Sequence, residues 1–339
     1  MALFKLTQDV AIDLGTANTV IIHDGKIVVN APSIVALEAR DGKLIAVGHK
    51  AQMMEGRTPE GIKTVRPLRD GVIADFYAAE QMIRGMIKMA FSGHHFFSPQ
   101  LRMVVGIPSG STEVEIRAVR DSSEHAGGKD VYMLYEPMAA AIGIGIDVLA
   151  PEGNMVVDIG GGSSEIAVIS LGGLVTNNSI RVAGNDLTQD IMDYMRRQHN
   201  IRVGMPTAEQ IKINVGSALT VLDNPPEDYV VRGPNQMTAL PMEVPVSYQE
   251  IAHCIEKSIS KIEAAVLTGL EQTPPELYAD IVRNGIWLTG GGALLRGLDK
   301  RLQDKIGIQF HVAEDPLLSV AKGTGIALKH VTEYPFLLR

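Results

Sequence analysis

The strongest constraint on this chain is that it contains one supersecondary pattern twice. Residues 10–30, VAIDLGTANTVIIHDGKIVVN, predict a strand over 9–14 ending in an acid, a tight turn at Gly15–Asn18, a strand over 19–23, an Asp24-Gly25 hairpin turn and a strand over 26–30. Residues 155–175, MVVDIGGGSSEIAVISLGGLV, repeat the order, with Asp158 standing 145 positions after Asp13 and one extra residue in the turn. The repeat continues. RMVVGIPSGSTEVEIRAVRDSSEHAG (102–127) and GIWLTGGGALLRGLDKRLQDKIG (285–307) each predict strand, turn and amphipathic helix, and each is followed by a short strand, a proline and a helix. Those last helices carry AIGIGI (141–146) and AKGTGI (321–326), 180 positions apart. Alanine and glycine at i and i+4 allow close helix packing. They suit packing within each half, or a matched pair crossing where two lobes meet, and the duplication favours the matched pair.

The expected fold is therefore α/β, with two duplicated lobes of mixed sheet covered by helices. The first lobe core is assigned to 1–31, 66–146 and 320–339, with a small insertion at 32–65. The second is assigned to 147–182 and 255–319, with an insertion at 183–254. A long helix is expected near 247–270, and DNPPEDYVVRGPNQMTALP as an exposed hairpin or loop. A chain of 339 residues, 45% apolar and 21% charged, can bury cores of this size. A net charge of −8 without a Lys/Arg cluster disfavours a nucleic-acid partner. The single cysteine, Cys254, reads as a buried core thiol in a reducing compartment. No stretch reaches the ~18 apolar residues of a spanning helix, and MALFKLTQDVAID lacks the pattern of a signal peptide, so a soluble, cytoplasmic protein is expected.

A glycine-rich turn with free N–H groups is a concave anion site, and two of them facing a cleft could grip one phosphate chain. Thr16 and Ser163 would add hydroxyls. Asp13 and Asp158 would repel phosphates unless a divalent cation lay between, a role that suits Mg²⁺, which uses few protein carboxylates. A third cluster, Gly290–Gly292, sits between a strand and a helix and could meet a phosphate or ribose. A P-loop is excluded by spacing and a dinucleotide fold is disfavoured. Glu136 reads, on the residues alone, as a helix N-terminal acid. In FSGHHFFSP (91–99), Phe96 and Phe97 suit either an exposed loop tip for a membrane or partner, or a cap on the first lobe's core. His94 and His95 read as solvated loop residues.

DLGTANT, DIGGGSSEIAVISLGG, EPMAAAIGIG, LTGGGALLRGLD and AKGTGIAL resemble the two phosphate motifs, two connecting motifs and adenosine motif of the actin superfamily. IKTVRPLRDGVIADF, EPMAAAIG and TPPEL resemble one branch of it, the MreB family of bacterial actins; the likeness runs from about Asp9 to Ala327. The resemblance implies an actin-like ATPase fold with ribonuclease H-like cores and the nucleotide between the lobes. It implies ATP as cofactor, with Gly15, Thr16, Ala17 and Asn18 as the first phosphate loop and Gly160, Gly161, Gly162 and Ser163 as the second. Asp13 and Asp158 would organise Mg²⁺ through water. Gly290, Gly291 and Gly292 would meet the ribose and α-phosphate, and Lys212 and Asn214 the adenine–ribose pocket. Glu136 would position the attacking water, assisted by Ser163. Ser163-Ser164 stands where the family usually has Thr-Thr, and Asn214 where it usually has Glu. The implied activity is slow ATP hydrolysis that times the assembly of membrane-associated, shape-directing filaments. The implied partners are further copies in paired protofilaments, the inner face of the cell membrane, and the wall-elongation machinery with a membrane-bound adaptor such as RodZ. Membrane contact would fall to Phe96 and Phe97, assisted by Leu3 and Phe4. The alternatives within the superfamily are a sugar-kinase-like phosphotransferase, for which no dedicated acid beyond Glu136 is found, and a chaperone ATPase, for which the chain is too short.

Overall fold

A computed structural model of the chain describes residues 7–91 and 100–339. The first hairpin unit forms β1 (Thr7–Leu14), β2 (Asn18–His23) and β3 (Lys26–Pro32), with Asp24 and Gly25 both at positive φ in the β2–β3 turn. That pair is the signature of a hairpin turn whose twist matches its strands. The chain then builds a small sheet from β4 (Val35–Glu38), β5 (Leu44–Val47) and, after the short α1 (His49–Gln52), β6 (Ile62–Val65). A minimal hairpin, β7 (Leu68–Arg69) and β8 (Val72–Ile73), turns at Asp70-Gly71. The lobe is completed by α2 (Phe76–Ala90), β9 (Gln100–Ile107), α3 (Glu113–His125), β10 (Gly128–Tyr135) and α4 (Glu136–Gly143). Asp75 caps α2, and Thr112 with Glu115 forms a capping box on α3.

The second lobe starts with β11 (Asn154–Ile159), β12 (Ser164–Ser170) and β13 (Gly173–Ile180). Its insertion holds α5 (Gly184–Gln198), α6 (Met205–Val215), the hairpin β14 (Tyr229–Pro234) and β15 (Pro241–Val246), and α7 (Tyr248–Cys254). Then come α8 (Glu256–Glu271), α9 (Pro275–Asn284), β16 (Ile286–Thr289), α10 (Leu298–Ile306), β17 (Phe310–Val312) and α11 (Ser319–Lys329). The single helix expected near 247–270 is thus two, broken at Ile255.

The duplication is exact in topology. The strand orders β10-β9-β1-β2-β3 and β13-β12-β11-β16-β17 match when one is read in reverse: β1 lies antiparallel to β2 and parallel to β9, as β11 does to β12 and β16. Each sheet buries its outer face in its own core, around Ile12, Ile21, Met82 and Met103 in one and Val157, Ile166, Ile191 and Ile262 in the other. Their inner faces share a third core, where Ala11, Val104 and Leu134 meet Val156, Ile169 and Trp287.

The two lobes are locked by an exchange of helices. Helix α11 follows the second sheet but packs on β1, β2 and β9 of the first; α4 follows the first sheet and packs on β11 and β12 of the second. They cross backbone to backbone. A Cβ at Gly323 would lie 1.7 Å from the Ala139 carbonyl oxygen, and one at Gly143 1.9 Å from that of Ser319. The matched pair expected from sequence is therefore real but shifted in register: the small residues one turn apart are Ala139–Gly143 and Ser319–Gly323. Gly145 lies beyond the end of α4 at positive φ.

Candidate functional site

The β1–β2 turn (Gly15–Ala17) and the β11–β12 turn (Gly160–Ser163) face each other across the mouth of the interlobe cleft. They are closer than two ligand loops need be. A Cβ at Gly161 would sit 2.8 Å from the Ala17 Cβ; one at Gly162 would sit 2.7 Å from the Thr16 Oγ1 and 2.9 Å from the Asp70 Cα. Two of the three consecutive glycines are thus explained by the opposing lobe rather than by a ligand. The sequence also gave no role to the Asp70-Gly71 turn. Its Gly71 N–H donates to the Thr16 hydroxyl at 3.0 Å, and a Cβ at Gly71 would lie 2.9 Å from the Ser163 Oγ. The hairpin roofs both turns.

Each turn is braced from behind. The Ser33 hydroxyl donates to the Gly15 carbonyl at 2.6 Å, and the Ser33 N–H to Ala17. In the second lobe the first N–H groups of α5, from Gly184 and Asn185, donate to the Gly160 and Gly161 carbonyls. The Lys212 ammonium donates to the Gly184 carbonyl at 2.8 Å and to Thr188, and pairs with Glu209 at 2.8 Å. The Ser164 hydroxyl is turned away from the cleft, toward the Val182 carbonyl.

Beneath the turns lie the acids. Burial, and then the charge of Asp158, push the Asp13 carboxyl up to about 7. Burial raises Asp158 to about 6 against the lowering effect of the Thr289 hydroxyl, which donates to its Oδ1 at 2.9 Å; Glu165 adds to the rise. Glu136, the first residue of α4, is held well above the usual carboxylate range by burial and then by Glu165, Asp13 and Asp158. Carboxylates this close favour a shared cation or retained protons.

The cleft has a volume of about 440 Å³. Asp13, Gly15–Asn18, Glu136, Asp158, Gly160–Ser163, Lys212 and Gly290–Gly292 all line it. Asn214 does not: its amide donates to the Gln210 carbonyl at 2.7 Å, one turn back on the exposed side of α6, and the neighbouring Ile213 faces the cleft instead. The far end holds residues the sequence reading missed. Ile213, Leu294 and Leu317 stand there 55%, 56% and 54% exposed, an apolar wall left uncovered. The Arg296 guanidinium donates across it to the Ile213 and Gly216 carbonyls. Leu294 and Arg296 follow the third glycine cluster directly, and that adjacency was the available signal. Leu3, Phe4, Phe96 and Phe97 lie outside the described residues.

The arrangement as a whole has a polar end of paired turns over acids, an apolar end, and a pair of exchanged helices that joins the duplicated lobes. It defines a two-lobed protein of the actin-like fold, and solved structures agree: MreB5 of Spiroplasma citri bound to AMPPNP superposes with a TM-score of 0.89 at 37% identity, covering 96% of this chain and 97% of that one. A MamK double helical filament matches at 0.80 and 20% identity, which speaks to fold alone. The model of the MreB/Mbl protein family matches residues 7–335, and the chain belongs to that family. The cell shape-determining protein Mbl of Bacillus subtilis (strain 168) is 44% identical over 329 residues, 97% of this chain and 98% of the relative. The cell shape-determining protein MreB of Escherichia coli (strain K12) is 46% identical over 334 residues, 96% and 94% of the two chains.

Proposed function

We propose that this protein is a shape-directing cytoskeletal ATPase that binds Mg-ATP between its lobes, hydrolyses it slowly and polymerises on the inner face of the cell membrane. The observation that carries the reading is the cleft itself, polar turns and raised acids at one end and an apolar wall at the other. Its shape and chemistry fit a nucleotide, and Spiroplasma citri MreB5 has been solved with both AMPPNP and ADP. The relatives named as cell shape-determining proteins support the cellular role.

The donor set fits a phosphate-bound Mg²⁺. Asp13 and Asp158 line the cleft as a carboxylate pair close enough for the charge of one to raise the other, and an ion that keeps its waters and uses few protein carboxylates suits such a pair. Asp13 and Asp158 would hold its waters; the ion supplies positive charge that offsets theirs and the phosphates'. The turns would donate N–H groups to the phosphates. Ser163, packed under Gly71, would donate its hydroxyl at the terminal phosphate. Glu136, made more basic by its neighbours, would orient a water and accept its proton. Ile213, Leu294 and Leu317 would sandwich the base.

Self-association is supported by the β14–β15 hairpin, which leaves Val230, Met237 and Leu240 at 48%, 81% and 65% exposure. Membrane attachment through Leu3, Phe4, Phe96 and Phe97 is supported by strand pairing: Thr7 and Gln100, which follow the two apolar segments, sit opposite one another in the β1–β9 ladder. The wall-elongation machinery and its membrane adaptor complete the proposed setting.

Electron microscopy of the protein with Mg-ATP and lipid vesicles, alongside a phosphate-release assay, tests the reading. Filaments and slow release are expected. Turnover of a small acceptor, with no filament in any nucleotide state, would replace it with a phosphotransferase. The double change Phe96→Ser, Phe97→Ser should abolish vesicle co-sedimentation and leave nucleotide binding intact.

A further inference from the structure

The duplication provides an internal control for every residue of the site. In the first lobe the residue paired with Asp13 across the β1–β2 ladder is Val20; in the second the residue paired with Asp158 across β11–β12 is Glu165. Residues directly opposite in an antiparallel pair share a face, so both point inward between the lobes. Val20 is 3% exposed and packs in the interlobe core. The fold is therefore content with an apolar residue at this place. Glu165 is 0% exposed, and burying a carboxylate is costly without partners.

Its partners come from both lobes. Ser109, in the turn between β9 and α3 of the first lobe, donates its N–H to Glu165 Oε2 at 3.1 Å and its hydroxyl to the same oxygen. Ser179, on β13 of the second lobe, donates to Oε1 at 2.7 Å. Asn177 closes the ring: its Oδ1 shares the Ser109 hydroxyl at 2.5 Å, and its amide donates to the Ser109 carbonyl at 3.1 Å. The same turn reaches the cleft, because a Cβ at Gly71 would lie 3.0 Å from the Pro108 Cγ as well as 2.9 Å from the Ser163 Oγ.

We propose that Glu165 is a positioning residue: by gripping Ser109 across the lobe boundary it sets Pro108 against the Gly71 roof over Ser163, and so makes hydrolysis depend on clasped lobes. Ser163 lies two residues before Glu165, so the clasp holds the two sides of the hydroxyl's environment, the β12 end and the roof, in one geometry. Nucleotide affinity comes chiefly from the backbone N–H groups of the turns and from the apolar wall, whereas the clasp acts on the Ser163 side chain and the roof above it. The proposal rests on the ATPase reading above.

The test uses the full chain, Glu165→Gln, which keeps size and removes charge, and Ser109→Ala, which removes only the hydroxyl. AMPPNP affinity is measured by calorimetry, hydrolysis by single-turnover phosphate release, and the clasp by amide hydrogen exchange over residues 107–111. Glu165→Gln should hold affinity within about threefold, slow release by about tenfold or more, and speed exchange at the Ser109 turn. Ser109→Ala should move all three in the same direction by less. Wild-type release in Glu165→Gln would overturn the proposal. So would affinity, rate and melting temperature falling together, which would make Glu165 a fold element only. If the unaltered protein releases no phosphate, the ATPase reading fails separately, and unchanged exchange in Glu165→Gln would then refute the clasp itself.

Discussion

The two lobes agree strand for strand and differ where chemistry is done. Each has its acid at the end of the central strand, its small-residue turn and its exchanged helix. The first braces its turn with Ser33 and packs Val20 beside its acid, whereas the second braces its turn with the N-terminus of α5 and sets Glu165 beside its acid. Backbone requirements are thus duplicated and side-chain functions are divided. Thr16 and Ser163 both line the cleft, but the Thr16 hydroxyl accepts from the Gly71 N–H and so holds the Asp70-Gly71 roof, while the Ser163 hydroxyl lies against that roof.

The helix crossing should show the symmetry most severely. Gly323→Leu puts a side chain into the Ala139 carbonyl, and Gly143→Leu one into that of Ser319. Neither helix can retreat without parting the shared core. Both variants should lose cooperative thermal unfolding, although glycine in a helix interior is itself about 1 kcal/mol worse than alanine. Gly145→Ala, in the same motif but with open space around its Cβ, should cost only about 1 kcal/mol for its positive φ. A Gly323→Leu protein that melts normally would break the claim that the lobes are locked here.

Swapping the divided function is the next test. Val20→Glu would give the first lobe the second's carboxylate without its Ser109 and Ser179 donors, next to an Asp13 already raised to about 7. A loss of about 3–5 kcal/mol is expected, read from urea midpoints. A change below about 1 kcal/mol would mean that the donors around Glu165 are not what makes its burial tolerable.

The acid pair gives a gain rather than a loss. A folded-state value near 7 for Asp13, against 3.8 unfolded, means the native state holds more protons between pH 4 and 7. That contribution to stability is full below about pH 4 and is lost as pH rises through 7. The nucleotide-free protein should accordingly be less stable at pH 8 than at pH 5 by part of an upper bound of about 4 kcal/mol. Asp13→Asn should remove this slope and stabilise the protein at pH 8 by about 1–2 kcal/mol, while weakening Mg-ATP binding. Asp158→Asn should do the same to a smaller extent, since its rise is to about 6.

How much of this was legible follows from what kind of interaction each feature needs. The hairpins, the duplicated order and the paired glycine helices are local or repeated patterns, and two copies of one pattern constrain each other. Glu165 was not legible, because its meaning depends on Ser109, 56 positions away in sequence, which is itself held by Asn177, 68 positions beyond it. The glycines misled in part: three in a row announced a close approach, but residues 161 and 162 are approached by Ala17, Thr16 and Asp70 of the other lobe. The apolar wall of Ile213, Leu294 and Leu317 lies on separate elements that only the closed fold brings together.

The smallest expected effect concerns Asn214, placed at the adenine pocket by resemblance and found on the outer side of α6. Resemblance fixed the helix but not which of two adjacent residues turns inward. Successive positions on a helix point about 100° apart, so with Ile213 facing the cleft, Asn214 is left to solvent and the Gln210 carbonyl. Restoring the family's acid by Asn214→Glu should therefore change stability by no more than about 0.5 kcal/mol and AMPPNP affinity by no more than about twofold. Ile213→Ala should by contrast weaken AMPPNP by roughly tenfold, by uncovering one face of the base. A tenfold gain from Asn214→Glu would show that α6 rotates when the cleft fills, so that this end of the second lobe, unlike its braced turn, is set by the ligand.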